Sequence, residues 1–182
     1  RGFSIRYDAR LDMRMDQAQS FDATELINTY DEQALTQIFK DYGELRSAAK
    51  IAKAIVKQRQ NEKIETTHQL NELLMQFFSD TNRNKLLAMA YQALRIEVNQ
   101  ELEALKSMLE YSAYLLKPDG KLCVISYHSL EDRLVKRFIK NGNFTNEPAK
   151  DFYGNSLSKL KQTGKMIVPD REETSQNNRA RS

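Results

Sequence analysis

The run Leu122-Cys123-Val124-Ile125-Ser126-Tyr127-His128-Ser129-Leu130-Glu131-Asp132-Arg133 opens as a strand and closes as a helix. Its first four residues form a short, unbroken apolar segment, as expected of a strand buried on both faces. Ser129 with Asp132 three residues on has the spacing that caps a helix, which continues to about Lys140. Strand, polar loop and capped helix make half of an α/β unit. Ligands of such folds gather at the carboxyl ends of strands, which makes Tyr127, His128 and Ser129 candidates for chemistry. A neutral imidazole at His128 suits a general base, and it suits equally a hydrogen-bonded structural histidine. Cys123, inside the strand, reads as core rather than as a nucleophile.

Pro118-Asp119-Gly120, just upstream, is a turn by composition. All three prolines and four of the six glycines lie beyond residue 117, so the chain is Pro-free and helical before this point and turn-rich after it. Within the helical part, Asp22 caps a helix that breaks near Tyr30-Asp31 and stops at Gly43. A second helix runs from about Glu44 to Arg59, and a third starts at Thr66 or Thr67 with Leu70, Leu73, Leu74, Phe77 and Phe78 on its buried stripe. The helical pattern from about Asn84 to Leu116 is longer than ordinary globular helices and calls for a break within it. Leu11-Asp12-Met13-Arg14-Met15-Asp16 alternates apolar and polar residues and reads as a short half-buried strand.

Composition bounds the class. At 182 residues, 40% hydrophobic and 29% charged, the chain can bury a core and is neither disordered nor membrane-spanning. Its longest apolar stretches, such as Leu86 to Tyr91, are far too short to cross a bilayer. One cysteine allows no internal disulfide, so a cytoplasmic setting is expected. Two widely spaced histidines and one cysteine argue against a zinc site, so no metal is expected. The six glycines stand apart, with no P-loop and no G-x-G-x-x-G fingerprint.

The 28 basic and 25 acidic residues leave only +3, yet the cations are sorted. Arg46, Lys50, Lys53 and Lys57 recur at helical spacing on one face, opposite Leu45, Ala48, Ala52, Ile55 and Val56. Arg133, Lys136, Arg137 and Lys140 form a second basic set. Such faces suit a phosphate backbone, and they suit equally a plain solvated surface. Arg1, Arg6, Arg10 and Arg14 alternate with Phe3, Tyr7 and the acids Asp8, Asp12 and Asp16. They are either a base-stacking clamp or a set of surface ion pairs. Arg95 and Asn99, four apart, share a face of the long helix toward a site, or form an ordinary solvent pair.

Five strings, in order and spacing, carry a family likeness: Arg1-Gly2-Phe3-Ser4 with Leu11 to Asp16; Tyr42-Gly43-Glu44 leading to Lys50-Ile51-Ala52-Lys53-Ala54-Ile55; Gln92 to Asn99; Val124 to Arg133; and Arg179-Ala180-Arg181-Ser182. Together they resemble the bacterial 16S rRNA (cytosine-N4)-methyltransferase family, the RsmH or MraW type. The resemblance implies an α/β, Rossmann-like, S-adenosylmethionine-dependent methyltransferase, partial here, with an all-helical inserted domain. Residues 1–19 and 85–182 would belong to the catalytic domain and 20–84 to the helical insert, which carries the basic stripe. The implied substrate is the exocyclic N4 amine of one cytosine in the decoding region of 16S rRNA in the small ribosomal subunit.

On this resemblance Asp12, His128 and Ser129 are the candidate catalytic residues. Arg14, Arg46, Lys50, Lys53, Lys57, Arg95, Asn99 and Arg133 are the candidate RNA contacts. The glycine loop and ribose-binding acid that hold the donor in the family would lie upstream of Arg1, so no donor-binding residue is assigned within the chain. Ala9-Arg10 stands where the family has Gly-Pro, a local departure in loop geometry. A non-catalytic RNA-binding helical module is the alternative of a different class, and a helical protein-interaction domain a third.

Overall fold

A computed structural model describes residues 2–164 and 167–177. Arg1 and the Arg179 to Ser182 string lie outside them. The chain divides into two compact units, Arg1–Glu101 and Leu102–Ser182.

Unit 1 is built from helices whose ends the sequence writes locally. Helix α1 (Ala23–Thr29) starts where the Asp22 carboxylate accepts the Glu25 N–H at 2.8 Å. Asp31 repeats the device for α2 (Glu32–Asp41), so the expected break at Tyr30-Asp31 falls between two helices. Thr66 opens α4 (Thr67–Met75) with a full capping box closed by Gln69. Helix α3 spans Ala48–Arg59, later than its expected start near Glu44, which leaves Arg46 in the preceding turn. Glu44 takes a left-handed φ of 49°, which no helix interior tolerates, and the helix therefore begins beyond it.

Helix α5 (Arg83–Asn99) ends at Gln100, whose φ of 51° and ψ of 38° divide the long helical pattern; α6 (Glu101–Leu115) follows. Leu26, Ile27, Leu35, Phe39, Ile51, Ile55, Leu70, Leu74 and Leu94 are fully buried in one core, to which the loop residues Leu11 and Met13 also contribute. The apolar face of α3 points into this core, and the opposite face exposes Lys50, Lys53 and Lys57. On the α4 stripe Leu70, Leu73, Leu74 and Phe78 are buried, whereas Phe77, past the helix end, is only half-buried.

Unit 2 holds the rest of α6, then α7 (Ser129–Asn141) and α8 (Arg171–Gln176). At the turn between Lys117 and Gly120 the left-handed residue is Asp119 (φ 64°), in the position before Gly120 where an Asx residue is tolerated. Phe138 and Phe144 stack at 5.0 Å between ring centroids. Beyond α7 the chain turns back as a hairpin: Leu157 donates its N–H to the Ala149 carbonyl (2.9 Å) and Asp151 to that of Asn155 (2.9 Å). Ala149 in turn donates to the carbonyl of Asn141 at the end of α7 (2.8 Å). Gly142 makes the close approach possible, since a Cβ there would lie 3.0 Å from Ser158.

Two expected strands do not form. The described residues contain isolated bridges, Arg10 with Thr66 and Lys150 with Ser156, and no sheet. Leu122 to Ile125 is extended, with Leu122 and Val124 half-buried and Cys123 and Ile125 exposed. A strand exists through the ladder it shares with neighbours, and no described residue supplies one here. The reading of Cys123 as core is corrected for the same reason. Leu11 and Met13 are buried as the alternation requires, but Met13 has a φ of 60° and Met15 is exposed, so the segment bends and is no strand. The chain is helix-rich, as expected.

Candidate functional site

The loop Leu11 to Asp16 is held from both sides. Leu11 donates its N–H to the Glu65 carbonyl (2.8 Å) and accepts the Thr24 hydroxyl (2.8 Å), while the Asp12 carbonyl accepts the Ala23 N–H (2.8 Å). From α5, Asn99 uses both ends of its amide: Oδ1 accepts the Met15 N–H (2.7 Å) and Nδ2 donates to the Met13 carbonyl (2.8 Å). The same Nδ2 reaches the Arg95 carbonyl (2.8 Å), which ties the clamp to its own helix. Gly2, at φ 73°, passes so near that a Cβ would lie 2.7 Å from the Arg10 carbonyl. Any side chain at position 2 would push this loop outward.

Asp12 and Arg14 form a bent fork inside the loop. Arg14 Nε and Nη2 donate to Asp12 Oδ1 (2.6 Å) and Oδ2 (3.1 Å), the Arg14 backbone N–H adds a third bond to Oδ1 (3.1 Å), and Nη1 donates to the Gln19 carbonyl (2.5 Å). Both side chains are largely covered. The Arg14 guanidinium, chiefly by hydrogen bonding, holds the Asp12 carboxyl below its usual value of 3.8, and Asp12 raises Arg14 in return. Oδ1 has both lone pairs engaged and Oδ2 keeps one, so Asp12 is a fixed carboxylate with room for one more donor. Arg14 directs Nε and Nη2 to Asp12 and Nη1 to Gln19.

A cleft of about 380 Å³ lies beside the loop, lined by Phe3, Ser4, Arg6, Met13, Tyr91, Gln92 and Arg95 among others. Arg95 is oriented by a two-point bond to Glu101 (2.9 and 3.0 Å). Tyr91 donates its hydroxyl to Asn71 Oδ1 (2.9 Å), and burial pushes its phenol well above the ordinary range. No carboxylate lines this cleft to take a ribose diol, and the described glycines with positive φ stand far apart, at 2, 142, 154 and 164. The described residues therefore do not fit a nucleotide-type donor by themselves.

Unit 1 thus ties Asp12, Arg14 and Asn99 together in one loop and places Arg95, with Phe3, Arg6 and Gln92, on the cleft beside it. Of these three, Gln92 is marked in the sequence only as the first residue of the Gln92 to Asn99 family string. The alternating arginines resolve largely into ion pairs: Arg10 with Asp22 (2.8 Å) and Arg14 with Asp12. Arg46, Lys50, Lys53 and Lys57 are exposed, on α3 and in the turn before it. In unit 2, His128 rather than Ser129 caps α7, its Nδ1 accepting the Glu131 N–H at 3.4 Å. The correction has a simple cause, since His128 is extended and Ser129 already helical. Ser129 is exposed at the first turn, and Arg133 lies one turn on; Lys136 of the basic set pairs with Asp132 (2.7 Å).

Two lowered carboxyls give unit 1 an acid limit. Asp8, held down chiefly by the His68 backbone N–H, and Asp12 favour the folded state while ionised. That contribution is complete above the ordinary value of 3.8 and is lost as pH falls through the lower folded values. The thermal midpoint should drop more steeply below about pH 4 in the wild type than in Asp8→Asn; parallel curves would remove Asp8 from the account.

The likeness to known proteins covers the whole chain. Ribosomal RNA small subunit methyltransferase H of Flavobacterium johnsoniae is 56% identical over 182 residues, which are 100% of this chain and 60% of the relative. Its namesakes in Christiangramia forsetii and Amoebophilus asiaticus are 53% and 55% identical, again over 100% of this chain and 60% and 59% of their own lengths. The chain thus spans about 60% of the length of these curated relatives. Residues 1–182 match the MraW methylase family from end to end, including the Asp12–Arg14 loop, the Asn99 clamp and the α7 cap, and the chain belongs to that family.

Proposed function

We propose that these residues are the RNA-facing part of an S-adenosylmethionine-dependent methyltransferase acting on the N4 amine of a cytosine in the decoding region of 16S rRNA, within the small ribosomal subunit. In this reading residues 1–19 and 85–182 complete a Rossmann-like catalytic domain, 20–84 form an inserted RNA-recognition domain, and the donor is held by polypeptide outside these residues. The protein works in the cytoplasm, consistent with the absence of any membrane-length apolar helix among the described residues. The observation that carries the reading is the Asp12 carboxylate, locked by Arg14 with one acceptor position left over.

The cytosine amine is a weak nucleophile because its lone pair is delocalised into the ring. The donor, when bound, supplies a methyl group on a sulfonium whose leaving group is a neutral thioether. Asp12 Oδ2 would accept one N–H of the amine, hold its nitrogen in place and stabilise the positive charge that develops there. The methylated amine is acidic, so its surplus proton passes to water and a strong base is unnecessary. Asn99 and Arg95 keep the loop in place, and Lys50, Lys53 and Lys57, with Arg46, hold phosphates. On unit 2, His128 and Ser129 at the start of α7 are the further proposed catalytic residues, and Arg133 is a further proposed phosphate contact.

The test uses the full-length enzyme, a donor with a labelled methyl group, and small subunits lacking the modification. N4-methylcytidine is the expected product by mass spectrometry of digested RNA; a label on carbon 5, on the ribose or nowhere refutes the reading. The variant Lys50→Ala/Lys53→Ala/Lys57→Ala should bind RNA more weakly and lower the slope of log K against log salt by roughly 2 to 3. An unchanged slope would remove α3 from the interface.

A further inference from the structure

Phe152 and Tyr153 stand at the tip of the Ala149–Leu157 hairpin, 97% and 85% exposed, with their rings edge to face at 5.6 Å. The tip is built to hold them out. Asp151 accepts the Tyr153 N–H (2.9 Å), the Asn155 N–H (2.8 Å) and Asn155 Nδ2 (2.9 Å), and its carbonyl accepts the Gly154 N–H (3.0 Å). Gly154 takes a φ of 86°, which permits so tight a return. Below the tip, Ala149 is bonded to Asn141 and Ser158 Oγ to the Ile139 carbonyl (2.8 Å), so the hairpin is anchored on α7 at both ends.

The flanking sequence is cationic. Between 140 and 161 the chain has Lys140, Lys150, Lys159 and Lys161 against Glu147 and Asp151. The Asp151 charge is turned inward onto its own loop. Lys159 places its ammonium 3.3 Å from the centroid of the exposed Tyr114 ring, so an aromatic face and a cation already meet on this unit.

We propose that the Phe152–Tyr153 tip is a stacking platform for unpaired bases of the RNA substrate, with the neighbouring lysines on its phosphates. The inference rests on the rRNA reading above and adds to it a second contact of a different physical kind. Exposed rings on a pinned backbone lose little freedom when a base lies on them, and every base has a face to offer. A protein partner is the poorer fit, because the rings rise from a narrow, lysine-flanked tip rather than from an apolar groove.

The experiment measures binding of the full-length enzyme to an unstructured oligoribonucleotide and to the small subunit, from about 50 to about 300 mM salt. Phe152→Ala/Tyr153→Ala should weaken binding by roughly ten- to a hundred-fold, with an unchanged salt slope and thermal midpoint, since stacking releases no counterions. Phe152→Trp/Tyr153→Trp should restore it. Binding that survives the alanine variant overturns the platform alone. A midpoint that falls with the alanine variant also overturns it, because the rings would then be packed inside the full-length protein. No RNA binding by the wild type overturns the rRNA reading and the platform together.

Discussion

Asp12→Asn in the full-length enzyme should lower kcat by roughly a hundred-fold while changing RNA affinity by less than about three-fold. The amide keeps the size and one acceptor oxygen of the carboxylate. It loses the charge that Arg14 Nε and Nη2 grip at 2.6 and 3.1 Å, and it presents an NH₂ either to Arg14 or to the cytosine amine. A donor facing a donor is the wrong partner for an amine that gathers positive charge. Binding should survive because the phosphate contacts proposed for Lys50, Lys53 and Lys57 are on α3 and take no part in the Asp12–Arg14 fork. Equal losses in turnover and affinity would make Asp12 an RNA contact or a fold element. Asn99→Ala separates the two further: it leaves the fork intact and frees the Met13 carbonyl and Met15 N–H. A positioning residue of this kind should lower kcat by less than Asp12→Asn and leave the pH profile of kcat in place.

The second large effect is on stability. Phe39→Ala should destabilise the full-length enzyme's helical unit by roughly 3 to 5 kcal/mol, from lost transfer energy and the cavity left behind. Phe39 is fully buried and is among the largest side chains of the core. Its carbonyl accepts the Leu45 N–H (3.1 Å), so the same residue anchors the turn that leads into α3. Denaturant unfolding of the variant and of Phe39→Leu, which keeps more of the apolar volume, measures the difference. A loss under about 1 kcal/mol would mean that the core relaxes around the gap and that α3 is positioned by other contacts.

Much of unit 1 is written locally. Asp22, Asp31 and Thr66 cap their helices because a short side-chain oxygen reaches an N–H three residues on, a relation contained in four residues of sequence. The apolar stripe of α3 and its basic back follow from helical periodicity in the same way. The Asn84–Leu116 pattern announces a break through its length alone, but Gln100 as the place of the break does not follow from its residue type.

Other features are relations between distant residues. Asn99 holds Met13 and Met15 across more than eighty positions, and no local pattern marks that pairing. The alternation in Leu11 to Asp16 correctly separates buried Leu11 and Met13 from their neighbours, yet the left-handed Met13 and the Arg14 fork bend the segment away from a strand. Leu122 to Ile125 shows the same limit from the other side: hydrophobicity makes a run suitable for a sheet, but strandedness is conferred by neighbours. Most helix caps, the helix faces and the family strings are thus legible residue by residue, because helix bonds and caps close within four positions; the start of α3 and the cap of α7 are the exceptions. Loop geometry, the free lone pair on Asp12 and the exposed aromatic tip were settled by tertiary contacts, because each depends on groups that only folding brings within bonding distance.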